Sequence, residues 1–213
     1  RSTKREIIVT LQLLFALYCL NMKVCVVGTG YVGLSLAVLL AQKYMVIALD
    51  IAKDRIKNIN EKKSPIKDNE LEMFLRNKKL NLKSTVSKNE AYSNADYVII
   101  ATPTNYNIDT GSFDTSTVEQ SISDCKKINS QATIIIKSTV PLGFTQEMRK
   151  KFKSEDIMFS PEFLRETKAL YDNLYPSRIV IGSKSKTAKT FCKMLLSCSL
   201  KPKQKIELFL MES

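Results

Sequence analysis

The sequence predicts an α/β fold, a single domain built on a doubly wound, mostly parallel sheet. Three observations carry that prediction. Short β-branched, apolar runs alternate with helical patterns through the middle of the chain, and that alternation belongs to parallel sheets with crossover helices. A glycine-rich stretch, Gly28-Thr29-Gly30-Tyr31-Val32-Gly33, separates the first such run from a long apolar helix pattern. The chain has 213 residues, 44% of them hydrophobic and 25% charged, enough to bury a core of ordinary domain size.

The elements follow in order. Lys23–Val27 (KVCVV) reads as a buried strand, and Leu34–Gln42 (LSLAVLLAQ) as a helix of good helix formers, buried on most of its surface. Met45–Leu49 is a second strand, ending at Asp50. Asp54–Asn60 and Asn69–Arg76 read as amphipathic helices on either side of a break at Ser64-Pro65. Tyr97–Ala101 is a strand stopped by Pro103, and Asp114–Lys127 a helix capped by Asp114 or Thr115. Thr133–Ser138 is a strand, Gly143–Phe152 a helix, Ile157–Phe159 a short strand and Ile179–Ile181 the last one.

Composition excludes several chemistries. Histidine is absent, which removes Ser-His pairs, His-based metal sites and imidazole proton shuttles. The five cysteines (Cys19, Cys25, Cys125, Cys192, Cys198) have no C-x-x-C spacing. They read as free thiols in a reducing cytoplasm, with neither a disulfide framework nor a metal site. The formal net charge of +12 is concentrated at the ends. Residues 22–182 carry 23 basic and 18 acidic residues, a net of +5, whereas residues 183–213 alone set seven lysines against Glu207 and Glu212. Few aromatics are interleaved with those lysines, so a solvated helix face is expected and nucleic acid is not.

The ends are expected to lie outside the domain proper. Ile7–Leu20 is a 14-residue apolar run behind a basic start. It is too short to span a bilayer and no small-x-small cleavage site follows it. Residues 1–21 read as an upstream extension, with membrane attachment the minor alternative. The domain is expected over residues 22–182, followed by a divergent basic tail at 183–213.

The glycine stretch has its full context: a strand before it, a helix after it, and Asp50 at the end of the next strand, 20 positions past Gly30. That set is the dinucleotide-binding fingerprint of Rossmann-type domains. Gly28 permits the turn, Gly30 lets backbone approach a pyrophosphate, and Gly33 allows close helix–strand packing. The unpaired amides at Tyr31 and Val32 then face an anion at the positive end of a helix. Asp50 would accept from the ribose hydroxyls and repel a 2′-phosphate, favouring NAD over NADP. Lys53 and Arg55 stand just beyond it, where a base can accommodate that phosphate.

Further stretches follow in fixed order: Ala101-Thr102-Pro103-Thr104-Asn105, Lys137-Ser138-Thr139-Val140-Pro141-Leu142-Gly143, Ser160-Pro161-Glu162-Phe163-Leu164-Arg165-Glu166, and KALYDNLYPSR over Lys168–Arg178. With the glycine turn, they resemble the NAD-binding domain of the UDP-glucose/GDP-mannose dehydrogenase family, over about residues 22–182. KALYDNLYPSR points to the UDP-glucose branch rather than the GDP-mannose or UDP-N-acetylmannosamine branches.

The resemblance implies two successive NAD-dependent oxidations of the C6 hydroxyl of UDP-glucose, giving UDP-glucuronate by way of a cysteine-bound thiohemiacetal and thioester. It implies that Thr104, Thr139 and Glu166 lie along the NAD site, to which Arg55 is assigned by its place just beyond Asp50. Thr139 and Glu162 would position or activate a water, with Glu166 beside them in the catalytic set. Glu162, Phe163, Leu164 and Arg165 would line the sugar-nucleotide pocket. The residues leave other roles open: Thr139 could cap the turn before Pro141, Glu162 could be a first-turn helix glutamate, and Tyr171, Tyr175 and Arg178 could contact substrate or pack around a loop.

The resemblance fades after about Gly182, although Ala188–Leu196 (AKTFCKMLL) still reads as the family's next helix. From Ser197 on, no family motif is recognised. The long dimer-forming helix and the glycine-rich segment with the nucleophilic cysteine are not found, and none of the five cysteines is assigned as nucleophile. The sequence therefore suggests a truncated or frame-shifted product that has lost the family homodimer, binds NAD weakly and does not turn over UDP-glucose alone.

Overall fold

The computed structural model describes residues 21–108 and 111–212. The apolar run Ile7–Leu20 lies outside the described residues. The first half of the chain builds β1 (Lys23–Val27), α1 (Tyr31–Ala41), β2 (Met45–Leu49), α2 (Lys53–Asn60), α3 (Asn69–Asn77), β3 (Leu82–Thr85), α4 (Lys88–Tyr92) and β4 (Tyr97–Ile100). A two-residue hairpin, β5 (Tyr106–Asn107) and β6 (Ser112–Phe113), precedes α5 (Ser116–Ile128), β7 (Thr133–Ile136), α6 (Phe144–Phe152) and β8 (Ile157–Phe159). The chain then forms α7 (Ala169–Leu174), β9 (Arg178–Ile181), α8 (Lys186–Cys198) and β10 (Glu207–Leu210).

Six strands pair in the order β3-β2-β1-β4-β7-β8, every pair parallel. Numbered within the sheet alone, that order is 3-2-1-4-5-6, the doubly wound arrangement that reverses direction between β1 and β4. Alternation along the strands feeds two cores. Val24, Val26, Val46, Ala48, Tyr97 and Ile99 face the layer of α1, α3, α7 and α8. Cys25, Val27, Leu49, Val98, Ile100, Ile134 and Ile136 face the layer of α4, α5 and α6. Strands covered on both faces have no solvent side, which is why residues 24–27 and 134–136 are apolar without a break.

Some elements depart from expectation. β3 (LKST) escapes sequence reading because it is an edge strand with two polar residues, Ser84 and Thr85, on its buried end. The last expected strand, β9, stands outside the six-stranded sheet and pairs in parallel with β10. The stretch after residue 182 packs onto the same core as the rest, so the boundary expected there has no counterpart in packing. Its helix α8 is amphipathic: Ala188, Phe191, Cys192, Met194 and Leu195 are buried, while Lys186, Lys189 and Lys193 are exposed. The Phe191 ring stacks 5.8 Å from that of Tyr97 on β4, and Ile206 is buried beside them in the same core. The exposed lysines are what composition registers; the buried face between them makes the segment part of the domain. Among the described residues, no helix is long and apolar enough to cross a membrane.

Candidate functional site

The turn between β1 and α1 assigns a distinct task to each glycine. Gly28 sits at φ +90°, and a Cβ there would stand 2.6 Å from the Ala101 carbonyl oxygen on the neighbouring strand end. A Cβ on Gly33 would meet the Gly28 carbonyl oxygen at 1.9 Å. Both are demanded by the fold itself. Gly30 differs: a Cβ there would meet nothing within 4 Å. Its side-chain position faces open space, so packing does not explain a glycine there, whereas close approach of a ligand does.

That space lies at a bare helix start. Gly30 is the N-cap of α1, gives no side-chain cap, and no acidic residue occupies the first turn. The first helical bond runs from the Leu34 N–H to the Gly30 carbonyl at 2.9 Å. The amides of Tyr31 and Val32 therefore precede the hydrogen-bonded ladder and carry the positive end of the helix dipole.

Asp50, one residue beyond β2, closes the turn from the other side. Its Oδ2 accepts from the Thr29 amide at 2.7 Å and the Thr29 hydroxyl at 2.6 Å, and its Oδ1 accepts from the Ala52 amide at 2.9 Å. Burial is the largest single influence on this carboxyl and pushes its pKa up. The bonds from Thr29 and Ala52, with the nearby Arg55 charge, together outweigh it and hold the carboxyl below the ordinary aspartate range. Arg55 Nη1 donates to the Thr29 carbonyl at 3.1 Å.

At the switch point between β1 and β4 opens a cleft of about 370 Å³. Gly30, Tyr31 and Val32 line one wall, Ala101 to Thr104 after β4 a second, Lys137 to Thr139 after β7 a third, and Glu162, Leu164 and Glu166 beyond β8 the fourth. The loops are tied together: the Ser138 hydroxyl donates to the Thr102 carbonyl at 2.6 Å. The Thr139 hydroxyl has no hydrogen-bond partner among the described residues, so it caps no turn. Glu162 belongs to no helix; its Oε2 accepts from the Leu164 amide at 2.7 Å.

The structure thus brings Gly30, Tyr31, Val32, Thr104, Thr139, Glu162, Leu164 and Glu166 into one cleft. Asp50 and Arg55 sit behind the turn rather than in the cleft wall. Phe163 lines an adjoining crevice of about 60 Å³ that also includes Glu162, Leu164 and Arg178; the Arg178 guanidinium lies 5.3 Å from its ring centre. Arg165 lines neither space. It is exposed and engages Asp172 in two side-chain bonds, of 2.6 and 3.1 Å. Tyr171 and Tyr175 pack ring to ring at 4.8 Å.

Two residues assigned no role in the sequence prove central. Lys137 is buried, lines both spaces, and donates from Nζ to the Pro161 carbonyl at 2.9 Å and the Ser160 hydroxyl at 3.4 Å. Burial pulls its ammonium down to about 8, against a smaller upward pull from Glu162. The available signal was a lysine directly after TIII, a strand buried on both faces. Thr29 is the other, fully buried and bound twice to Asp50. Its signal was a hydroxyl residue between the first two glycines.

Fold and cleft together define a dinucleotide-binding α/β domain. Residues 22–197 match the UDP-glucose/GDP-mannose dehydrogenase family, NAD binding domain. The chain belongs to that family. It is 56% identical over 162 residues to UDP-glucose 6-dehydrogenase of Streptococcus pneumoniae, covering 76% of this chain and 41% of that protein. It is 46% identical over 194 residues to UDP-glucose 6-dehydrogenase of Campylobacter jejuni, covering 90% of this chain and 49% of that one. The chain therefore spans under half the length of these relatives. Among solved structures it resembles a UDP-glucose dehydrogenase from Pyrobaculum islandicum, with a TM-score of 0.75 and 27% identity, over 89% of this chain and 46% of that one. A GDP-mannose dehydrogenase from Pseudomonas aeruginosa is similar with a TM-score of 0.74 and 26% identity, over 90% and 47% of the two chains.

Proposed function

We propose that this chain supplies the coenzyme-binding half of a cytoplasmic dehydrogenase that oxidises the C6 hydroxyl of UDP-glucose to the carboxylate of UDP-glucuronate. One observation carries the reading: the bare helix start at Gly30, Tyr31 and Val32 shares a single cleft with Thr139, Glu162 and Glu166. NAD, when bound, supplies the hydride acceptor. The chain's own residues do the rest. The Tyr31 and Val32 amides hold the diphosphate, and Asp50 accepts from the adenosine ribose. Thr104 and Glu166 flank the coenzyme. Glu162 takes the alcohol proton or orients water, with the Thr139 hydroxyl lining the same cleft. Phe163 and Leu164 wall the sugar nucleotide, and Arg165, braced on Asp172, holds the end of that loop.

A covalent thiol step finds no residue among the four described cysteines. Cys25, Cys125, Cys192 and Cys198 are all buried and none lines the cleft. Burial pushes every one of these thiols upward, Cys125 to about 11, which removes the thiolate that nucleophilic attack needs.

UDP-glucose is favoured over other nucleotide sugars by sequence rather than by shape. The structures of UDP-glucose, GDP-mannose and UDP-N-acetylmannosamine type enzymes fit this chain equally, with TM-scores of 0.75, 0.74 and 0.77. The relatives at 56% and 46% identity carry the UDP-glucose name.

The test is calorimetric titration of NAD into the folded 213-residue chain. Saturable heat is expected, and Asp50→Ala is expected to weaken binding about tenfold or more, the scale of a lost hydrogen bond to a charged group. No saturation by well-folded protein would refute the reading.

A further inference from the structure

Behind the glycine turn lies a closed set of contacts that coenzyme binding alone does not require. Thr29 is fully buried. Three of its atoms are engaged: the amide and the hydroxyl both donate to Asp50 Oδ2, and the carbonyl accepts from Arg55. With the Ala52 amide on Oδ1, the Asp50 carboxylate receives three donors from two sides and cannot swing.

We propose that Thr29 is a positioning residue for coenzyme discrimination: its hydroxyl fixes Asp50, beside an Arg55 held by the backbone carbonyl, so that the subsite accepts a free ribose and rejects a 2′-phosphate. The inference rests on the NAD reading above and deepens it. Two consequences follow from the geometry. A carboxylate held in place keeps the one acceptor site left on Oδ1 available to a ribose hydroxyl, and keeps its charge where a 2′-phosphate would sit. A guanidinium bound to the Thr29 carbonyl is committed to the protein, so the base that could neutralise such a phosphate points to the turn instead. The bare presence of Arg55 in the sequence suggests tolerance of NADP; its anchoring argues the reverse.

Thr29→Val removes only the hydroxyl and keeps the side-chain volume, while the amide and carbonyl contacts remain. Loss of that donor loosens Asp50, which weakens NAD and relieves repulsion of NADP; both changes move the ratio of dissociation constants in one direction.

The experiment measures NAD and NADP binding by calorimetry in the wild type, Thr29→Val, Thr29→Ala and Thr29→Ser, with thermal unfolding as a check on folding. The wild type is expected to prefer NAD. The NADP-to-NAD ratio of dissociation constants should fall about fivefold or more in Thr29→Val, and Thr29→Ser should restore it. Thr29→Ala serves the same purpose should valine disturb the fold. A wild type that binds NAD, with a ratio unmoved by loss of the hydroxyl, overturns the inference and leaves the coenzyme reading standing. Equal weakening of both coenzymes also overturns it. Absence of NAD binding by the folded wild type removes both.

Discussion

The Lys137 ammonium lies 2.9 Å from the Pro161 carbonyl oxygen, tying the end of β7 to the loop that carries Glu162. A buried lysine in that position fixes two walls of the cleft with one side chain. It also gives the fold a pH dependence. The folded pKa of about 8 lies below the ordinary 10.5, so the unfolded chain binds this proton more readily than the native one. Stability contributed by this group therefore rises with pH from about 8 to about 10.5 and is flat below. The size is about 3 kcal/mol, taken from the separation of the two values. Urea unfolding of the wild type and Lys137→Met across that pH range checks it. The wild type should gain on the variant as pH rises, and parallel profiles would show that Lys137 is not the titrating group.

Gly30 and Gly33 should separate binding from folding. Gly33→Ala puts a Cβ 1.9 Å from a backbone oxygen and should cost about 3 kcal/mol or more, enough to unfold a marginal domain. Gly30→Ala meets no atom and should change stability by about 1 kcal/mol or less, yet weaken NAD binding at least about tenfold by crowding the diphosphate. Thermal melts and coenzyme titrations on the same samples decide the matter. Normal NAD binding by the Gly30→Ala variant would remove the physical case for a ligand at that glycine.

Phe191 tests whether the segment after residue 182 belongs to the domain. It is fully buried and stacked on Tyr97. Phe191→Ala should destabilise by about 3–5 kcal/mol, whereas Lys189→Ala on the exposed face should stay within about 0.5 kcal/mol. Equilibrium denaturation measures both. Equal, small effects would mean that α8 is not docked.

The four described cysteines should resist alkylation in the native protein. All are buried with raised thiol pKa values, so iodoacetamide at neutral pH should label Cys25, Cys125, Cys192 and Cys198 only after denaturant is added. Peptide mass spectrometry gives the answer for each site. Rapid native labelling of Cys192 or Cys198 would show that α8 opens readily.

Residue patterns alone determined the doubly wound sheet, the glycine turn and Asp50. These were legible because each depends on short-range regularities: unbroken apolar runs where strands are covered on both faces, and glycines where backbone crowds backbone. Motif resemblance then carried Thr104, Thr139, Glu162, Phe163, Leu164, Arg165 and Glu166, and of these the tertiary structure sends Arg165 to Asp172 instead of the cleft. Only the folded chain could show that Lys137 spans two loops 24 positions apart in sequence, that Thr29 holds an aspartate 21 positions away, or that a lysine-rich segment closes the core. The physical reason is common to all three. A charged or hydroxyl side chain declares its type in the sequence, but its role depends on which distant carbonyl, carboxylate or ring the fold places beside it.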